Sequence, residues 1–216
     1  GFQVLLKGKN ITLPDGTFVE DGAVFHRNFL TDPDNRKYIE KANIQAFIPC
    51  GGFKDTINQG NVRQFVSLFK ELRFIVEGAN VFFDDTARRY IAASTPILQI
   101  KDTSANKGGV FSSAVAEVLT AFLLEDDYDK HLLEDKVTRW ALIRDIMMQV
   151  SNYAASETGM LIKIHDQDPA VPLFVLSEKT SEQIFALQTL VGENIESVQA
   201  DEGLSWQILE TYIPGI

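Results

Sequence analysis

The stretch that decides the fold begins with Phe74-Ile75-Val76-Glu77-Gly78-Ala79-Asn80 and continues, after a polar segment, with Ile97-Leu98-Gln99-Ile100. It ends with Lys101-Asp102-Thr103-Ser104-Ala105-Asn106-Lys107-Gly108-Gly109-Val110-Phe111-Ser112-Ser113. Each of the two short apolar runs stops in a loop of small and amide residues, and a helix-like segment follows each loop. The strands of a nucleotide-binding α/β sheet end in this way, so the stretch predicts such a sheet.

The same alternation extends to both sides of this stretch. The predicted strands cover residues 44–48, 74–76 and 97–100. The predicted helices cover residues 62–71, 84–93 with Asp84 or Asp85 as the cap, and 110–124. Right-handed crossovers make the three strands of this β-α-β-α-β-α pattern parallel. The loops 49–60, 78–83 and 101–109 are therefore expected along one edge of the sheet, where open α/β sheets bind ligands.

The segments before this pattern predict a strand-like run, a hairpin and two helices. Pro14 and Gly16 suit the turn of the hairpin, because proline presets φ and glycine accepts a positive φ. Thr31-Asp32-Pro33 is typical of a helix start. These elements are predicted at Phe2–Leu6, Ile11–Val19, Ala23–Leu30 and Thr31–Ala42.

Beyond residue 126 the pattern predicts helices alone. One is expected from Leu132 to about His165, and a break with two prolines follows. A second helix is predicted to begin at a Thr180 or Ser181 cap and to turn Ile184, Leu187 and Val191 inward. The last is predicted over Asp201–Tyr212. We therefore expect an α/β fold: a partial Rossmann-type parallel sheet with an N-terminal hairpin and a helical C-terminal extension.

Composition limits the partners. The formal net charge of −10 over 216 residues argues against a nucleic acid or an anionic membrane as partner. No uninterrupted apolar run reaches the about 18 residues of a membrane span, so we expect no membrane. The single Cys50 excludes an intrachain disulfide and fits the reducing cytoplasm. The start at Gly1, without Met, suggests an excised piece of a longer polypeptide.

The loop residues suit a ligand that combines a neutral ring with an anion. Asn side chains donate and accept hydrogen bonds without charge, and glycine lets backbone N–H groups approach a ligand. Ser112 and Ser113 follow two glycines at a predicted helix start and can bind a carboxylate, with Lys107 nearby. The alternative is that these glycine and Asn residues only cap helices and shape turns.

Three motifs in the same order resemble the second half of the dinucleotide domain of glutamate dehydrogenases. They are Pro49-Cys50-Gly51-Gly52 with Ile57-Asn58 and Asn61, Glu77-Gly78-Ala79-Asn80, and Asn106-Lys107-Gly108-Gly109-Val110 with Ser112-Ser113. The forms of the first and last motifs look like the large NAD-specific class. The resemblance covers roughly residues 44–124. It implies NAD as cofactor and reversible oxidative deamination of L-glutamate to 2-oxoglutarate and ammonia.

The resemblance also implies roles for individual residues. Cys50 and Gly51 would line the cofactor cleft, and Asn80 and Asn106 would contact the nicotinamide ribose or amide. A second set belongs to the substrate. Ser113 would bind a substrate carboxylate, with Ser112 as the alternative in a shifted register, and Val110 would shape the pocket. Residues 1–125 are accordingly interpreted as the C-terminal portion of the dinucleotide-binding domain, and residues 126–216 as a helical extension packed on it.

Two parts of the family pattern are absent from the sequence. No Gly-x-Gly-x-x-Gly turn follows a strand, and no segment corresponds to the substrate domain with the catalytic Lys and Asp. The catalytic residues are therefore expected outside this chain, in the rest of the same polypeptide, and the chain alone is expected to be inactive. A homo-oligomer is expected as well.

Two alternatives remain open. The first is a leucine, phenylalanine or valine dehydrogenase of the same superfamily, although the extra Gly and Lys around 51–54 and 107 favour the glutamate enzyme. The second is a non-catalytic assembly or regulatory module, which the retained Asn80, Asn106 and Ser113 disfavour.

Other reactive residue types carry less weight. The three histidines have no metal-ligand spacing, so no metal site is predicted. Cys50 is expected as a packed thiol beside the cleft. The apolar residues around Trp140, Met147 and Met148 are expected in the core or in a subunit contact.

Overall fold

The computed structural model of the chain describes residues 9–212. The strand predicted at Phe2–Leu6 lies outside the described residues. The chain divides into two compact units, Gly1–Gln99 and Ile100–Ile216, called here the N-terminal and C-terminal units. The predicted boundary between residues 125 and 126 stays a prediction.

The sheets have the predicted topology, which confirms the α/β fold class. A three-stranded parallel sheet has the order β3-β4-β5, and in the pairing of its first two strands Ala46 lies opposite Phe74 and Phe47 opposite Ile75. The N-terminal hairpin pairs Ile11 with Val19. Its strands and those of the sheet are β1 Ile11–Thr12, β2 Phe18–Val19, β3 Ala46–Phe47, β4 Phe74–Val76 and β5 Leu98–Ile100.

Two helical segments of the N-terminal unit begin at caps that the sequence predicts. Asp32 accepts a hydrogen bond from the Asp34 N–H at 3.0 Å and starts a 3₁₀ turn, Pro33–Asn35, that leads into α2. Asp84 accepts one from the Ala87 N–H at 2.6 Å and caps α4. The bounds are α1 Gly22–Asn28, α2 Arg36–Ala42, α3 Val62–Leu68 and α4 Asp85–Ser94.

A cluster of phenylalanines fills the core of the N-terminal unit. Phe65 on α3 is fully buried, and its ring centroid lies 4.7 Å from Phe69, 5.4 Å from Phe47 and 5.7 Å from Phe83. The edge-to-face and tilted arrangements are those that aromatic quadrupoles favour. These rings hold α3 against the sheet and against the segment that follows β4, so the core fixes the ends of β3 and β4.

Asp15 ties the hairpin turn to α2. Its carboxylate accepts hydrogen bonds from the Lys37 ammonium at 2.8 Å, the Tyr38 hydroxyl at 2.7 Å and the Thr17 N–H at 3.0 Å. The Lys37 hydrogen bond, followed by that of Tyr38, holds the pKa of Asp15 well below its ordinary value of 3.8. The same contact with Asp15 raises the pKa of Lys37 above 10.5.

Asp15→Asn is expected to lower the free energy of unfolding at pH 7, because it removes a carboxylate that the folded state keeps ionised. A depressed pKa stabilises the fold above the unfolded value of 3.8. The difference from wild type should therefore shrink as the pH falls from 3.8 towards the folded pKa. It should also shrink as the pH rises above 10.5 and Lys37 loses its proton.

Urea unfolding at pH 7, 5 and 3 measures this difference, with Glu71→Gln on the exposed surface as the control. The groups are exposed, so the effect is small and salt lowers it. An Asp15→Asn deficit that stays constant from pH 7 to pH 3 would contradict the assignment.

The C-terminal unit is helical. Helices of five residues or fewer are interleaved with wide π-type turns over Ser113–Leu119 and Asp129–Glu134, and two long helices follow. Asp135 caps the longest helix by accepting from the Val137 N–H at 2.8 Å. The bounds are α5 Asp102–Ala105, α6 Gly108–Ser112, α7 Thr120–Leu124, α8 Lys136–Gln167, α9 Leu173–Glu193, α10 Ile195–Ala200 and α11 Glu202–Tyr212.

Several predictions for the C-terminal unit are wrong. Thr180 and Ser181 do not cap a helix, because α9 already begins after Pro172 and runs through them. Ile184, Leu187 and Val191 are not inward but exposed. Trp140, Met147 and Met148 are exposed too, so they are not core residues, and the alternative given for them, a subunit contact, stays a prediction. The core that α8 shares with its neighbours is built instead on Leu142 and Ile146.

One helical stretch among the described residues has the length and composition of a membrane span. It covers Asp102–Asp127, with a mean hydropathy of 1.4 in its most apolar window. The sequence shows no uninterrupted run there because Lys107 and Glu117 interrupt it. Helices of soluble proteins also have such windows, so this is weak support for a membrane, and the expectation of none stays a prediction.

Candidate functional site

The loops that follow β3 and β4 lie side by side. The Asp55 N–H donates to the Val81 carbonyl at 2.7 Å, the Ile57 N–H to the Phe82 carbonyl at 3.0 Å, and the Asp84 N–H to the Ile57 carbonyl at 2.9 Å. Ile57 and Phe83 form a parallel bridge that continues the sheet beyond its strands. The predicted adjacency of the loops 49–60 and 78–83 is thus confirmed within the N-terminal unit.

Gly78 lies where the two strands end. A Cβ atom placed on it would be 3.1 Å from the Pro49 carbonyl oxygen and 3.3 Å from Cys50 Sγ. A side chain at this position would press on the backbone of the neighbouring loop, so the residue type follows from the close approach of the two chains. Cys50 and Gly78 therefore sit together at the carboxyl edge of the sheet.

The Cys50 thiol is exposed, so the prediction of a packed thiol is wrong. The strand-like alternation of burial continues beyond β3: Ile48 is exposed, Pro49 is buried and Cys50 is exposed. Its Sγ lies 3.5 Å from the Ile48 carbonyl oxygen. Gly51 is exposed too, and no described atom lies within 4 Å of a Cβ placed on it. Both residues can therefore face a ligand.

Gly52 has a conformation that a side chain would strain. Its φ is +129°, and a Cβ there would lie 2.8 Å from the Phe82 ring. The Gly51-Gly52 pair thus has two functions: Gly51 leaves open space at the edge, and Gly52 makes the turn that packs on Phe82.

Asn58 and Asn61 shape their loop. Asn61 accepts from the Asn58 N–H at 2.8 Å and donates its amide to the Thr56 carbonyl at 2.9 Å, and Asn58 donates to the Asp55 carbonyl at 3.0 Å. These two residues therefore follow the alternative in which Asn only shapes a turn, because both side chains are hydrogen-bonded to backbone groups of their own loop.

The sequence analysis missed a buried ionic cluster behind this edge. Glu77, the residue after β4, is fully buried, and its two oxygens accept from Arg88 Nε at 2.8 Å and Nη2 at 2.7 Å. Gln99 on β5 donates to the same carboxylate at 2.9 Å. The bidentate Glu77–Arg88 pair joins the end of β4 to α4, and the Gln99 hydrogen bond adds β5, at the residue that precedes Gly78. No local pattern announces it, because the partners are 11 and 22 residues apart in sequence.

Asn80 lies on the exposed surface two residues after Gly78. The buried Glu77 on one side and the hydrogen-bonded Val81 and Phe82 on the other fix the backbone on both sides of it. Because the backbone is fixed on both sides of Asn80, its amide side chain can reach only a narrow range of positions at the edge of the sheet.

The second set of predicted site residues belongs to the C-terminal unit. The predicted loop 101–109 is partly wrong, because residues 102–105 form the helix α5, and Asn106 closes it with its N–H on the Asp102 carbonyl at 3.1 Å. Asn106 is half-buried, and so are Ser112 and Ser113, whereas the Val110 side chain is 76% exposed. Ser113 begins the wide turn Ser113–Leu119.

The two serines differ in surroundings. Ser112 lines a cavity of about 250 Å³ together with Tyr128, Arg139 and Ile146 of the same unit. Wide π-type turns within helices frequently mark functional positions, and Ser113 stands at the start of one. Whether this set and the edge of the N-terminal unit form one cleft stays a prediction.

The described residues show no metal site. Within 9–212, no group of three or more His, Cys, Asp or Glu side chains is placed to hold an ion. What the two sets offer is hydrogen-bonding amides, hydroxyls and glycine backbone, which bind an organic ligand.

A parallel sheet with glycine and amide loops at its carboxyl edge defines an α/β protein of the nucleotide-binding type. The family model for Glutamate/Leucine/Phenylalanine/Valine dehydrogenase matches residues 18–164, and the chain belongs to this family. That match spans the second strand of the hairpin, the three-stranded sheet, both sets of predicted site residues and most of α8.

Curated relatives resemble the chain over much or all of its length. "Glutamate dehydrogenase 2" of Dictyostelium discoideum is 33% identical over 100% of this chain and 20% of its own length. "Probable NAD-specific glutamate dehydrogenase" of Schizosaccharomyces pombe is 29% identical over 99% of the chain and 19% of itself. "NAD-specific glutamate dehydrogenase" of Saccharomyces cerevisiae is 36% identical over 70% of the chain and 14% of its own length. The chain thus spans one fifth or less of these relatives. No solved structure matches it.

Proposed function

We propose that the chain is the C-terminal, NAD-binding-domain portion of an NAD-dependent glutamate dehydrogenase, which interconverts L-glutamate with 2-oxoglutarate and ammonia. The observation that carries the proposal is the paired edge formed by the loops after β3 and β4, with Gly78 against Cys50, in a chain of the dehydrogenase family. The relatives named NAD-specific support the choice of cofactor.

The edge fits the nicotinamide half of the cofactor. Gly51 and Cys50 leave open space, and Asn80 is an exposed residue of the loop that pairs with theirs. We assign Cys50 and Gly51 to the cleft wall, and Asn80 and Asn106 to hydrogen bonds with the ribose or the carboxamide. When bound, NAD supplies the hydride acceptor.

The substrate is assigned to the second set. Ser113, or Ser112 in its place, donates a hydrogen bond to a carboxylate of glutamate, and Val110 shapes the pocket beside it. Proton transfer is assigned to groups outside this chain, since the sequence lacks the family's catalytic Lys and Asp. The pyrophosphate-binding turn is assigned to the rest of the polypeptide in the same way. The 216-residue chain alone is therefore expected to show no turnover.

The test is glutamate-dependent NADH formation by the full-length polypeptide. Asn80→Ala, Asn106→Ala and Ser113→Ala are each expected to lower kcat/KM about 10- to 100-fold, because each removes a hydrogen bond to a bound group. Ser151→Ala and Asn152→Ala, at exposed positions of α8, are the matched controls and should stay near wild type.

Three results would overturn the proposal. Wild-type rates in all three variants would remove these residues from the site. A full-length enzyme that prefers leucine, phenylalanine or valine over glutamate would make it another member of the family. Absence of any amino-acid-dependent NADH formation would favour the assembly module instead.

We also propose that the helical unit contacts other protein, in a homo-oligomer or in the rest of the polypeptide. Trp140, Met147, Phe185 and Trp206 all expose most of their side chains. So many large apolar side chains left exposed in one unit favour an interaction surface. Sedimentation of the full-length protein measures the oligomeric state.

A further inference from the structure

Two ion pairs bracket the segment that carries Asn106. Lys101, which precedes α5, donates to Glu178 of α9 at 2.5 Å. Lys107, which follows Asn106, donates to both carboxylate oxygens of Glu157 on α8, at 2.8 and 2.9 Å. The segment between the two lysines is thus attached at one end to α9 and at the other to α8.

These pairs are partly shielded from water. The side chains of Lys101 and Glu157 are 15% and 19% exposed, while Lys107 is 40% exposed. Ion pairs on the open surface contribute little, because water and salt screen them. Partial burial weakens that screening, so these pairs constrain geometry more than a surface pair such as Lys70 with Glu40.

One face of α8 makes further contacts with the same region. Val150, Tyr153 and Glu157 follow each other at helical spacing. A Cβ on Gly108 would lie 3.1 Å from the Val150 side chain, and the Phe111 ring lies 5.5 Å from that of Tyr153 in an edge-to-face contact. The residues after Asn106 therefore lie on this face of α8. Glu157, the partner of Lys107, is at the C-terminal end of the face.

The segment lacks dense packing behind it. A groove of about 700 Å³ separates Ser104 and Ala105 from the apolar side chains of α8 and α9, among them Met160 and Ile184. The Ser104 hydroxyl oxygen is buried, and no partner for it is present among residues 9–212. Because apolar packing does not fix the segment on this side, the two ion pairs act together with the contacts of Gly108 and Phe111 on α8 to set where it lies.

We propose that Glu157 and Glu178 are positioning residues, which hold the Asn106 segment through Lys107 and Lys101 in the geometry that binds the cofactor. The inference rests on the proposed function, because it assigns Asn106 to the nicotinamide half of NAD. The proposal assigns neither glutamate a contact with the cofactor. Their effect passes through the backbone of the segment, so the helical extension sets the affinity of the cofactor site.

The experiment compares Glu157→Gln and Glu178→Gln with wild type in the full-length polypeptide. Glutamine keeps the shape and removes the charge, so each variant loosens one end of the segment. KM for NAD is expected to rise about tenfold for Glu157→Gln, since a misplaced contact group costs binding and rate. Glu40→Gln, which breaks the exposed pair with Lys70, is the control and should change KM less than about twofold.

Two further variants separate positioning from a loss of stability. The exchanged pair Lys107→Glu with Glu157→Lys restores the attraction and is expected to bring KM back to within about threefold of wild type. In an Asn106→Ala background, Glu157→Gln should add little, because the residue it positions is gone. A KM for Glu157→Gln equal to that of Glu40→Gln, no recovery in the exchanged pair, or full additivity with Asn106→Ala would each overturn the inference.

Amide hydrogen exchange distinguishes this failure from failure of the proposed function. Exchange of the amides 103–109 is expected to be faster in Glu157→Gln than in wild type, and unchanged in Glu40→Gln. If the full-length protein lacks glutamate-dependent activity but shows this difference, the proposed function fails while the positioning of the segment stands. Unchanged exchange in Glu157→Gln overturns the positioning whatever the activity.

Discussion

Arg88→Met is expected to lower the free energy of unfolding by about 3–5 kcal/mol, because it leaves the Glu77 carboxylate buried without its counter-ion. The Glu77 and Arg88 side chains are 0% and 2% exposed. Methionine fills most of the volume of the arginine stem, so lost charge rather than a cavity dominates the effect. The same variant should also loosen the backbone around Gly78 at the carboxyl edge of the sheet, because Glu77 immediately precedes Gly78.

Urea unfolding followed by circular dichroism measures the change in free energy. Lys70→Met, in the exposed pair with Glu40, is the matched control and is expected within about 0.5 kcal/mol of wild type. The double variant Glu77→Met with Arg88→Met should lose less than the sum of the two single variants, because it removes both charges together. An Arg88→Met loss no larger than that of Lys70→Met would show that the pair does not hold β4 to α4.

Phe65→Ala is expected to cost about 3–5 kcal/mol, the usual range for a buried phenylalanine truncated to alanine. Three other phenylalanine rings lie within 5.7 Å of it, between centroids, so the cavity opens in the middle of the cluster. The surrounding rings are anchored on different elements and cannot all move into the space. The loss therefore includes a cavity contribution besides the lost transfer free energy.

The measurement is again the urea unfolding curve of the 216-residue chain. Phe65→Leu should lose less than Phe65→Ala, and Phe18→Ala, whose ring is mostly exposed on β2, serves as the control with an expected change within about 0.5 kcal/mol. Equal losses for Phe65→Ala and Phe18→Ala would mean that the aromatic cluster is not the core of this unit.

The elements that the sequence predicted well carry local signals. Phe74–Val76 is a short apolar run that stops in a loop with Gly78 and Asn80, and Asp84 caps α4 because an acidic side chain precedes helix formers. The hairpin follows from Pro14 and Gly16, and Gly16 has the expected positive φ of 87°. In each case neighbours within a few residues supply the decisive interaction.

The elements that the sequence predicted poorly depend on contacts far along the chain. Thr180 with Glu182 resembles a helix start, but α9 has already formed from Leu173, and a helix under way continues through a potential cap. The apolar spacing of Ile184 and Leu187 does not reveal whether anything covers them, because an apolar stripe describes a face and not its partner.

The candidate site divides in the same way. The identities of the loop residues, from Cys50 to Ser113, came from the sequence and its resemblance to a family. The Glu77–Arg88 pair and the Lys107–Glu157 pair did not, because partners 11 and 50 residues apart have no common pattern in sequence. Side chains that hold a site in place are thus harder to predict than those that line it.

The outward orientation of Cys50 has a practical consequence. It is the single sulfhydryl of the sequence, and it lies beside Gly78, where two strands end. A maleimide dye attached there labels one defined position without any substitution elsewhere. The fluorescence of the dye then reports the binding of a ligand beside Gly78 directly, in real time and without any turnover.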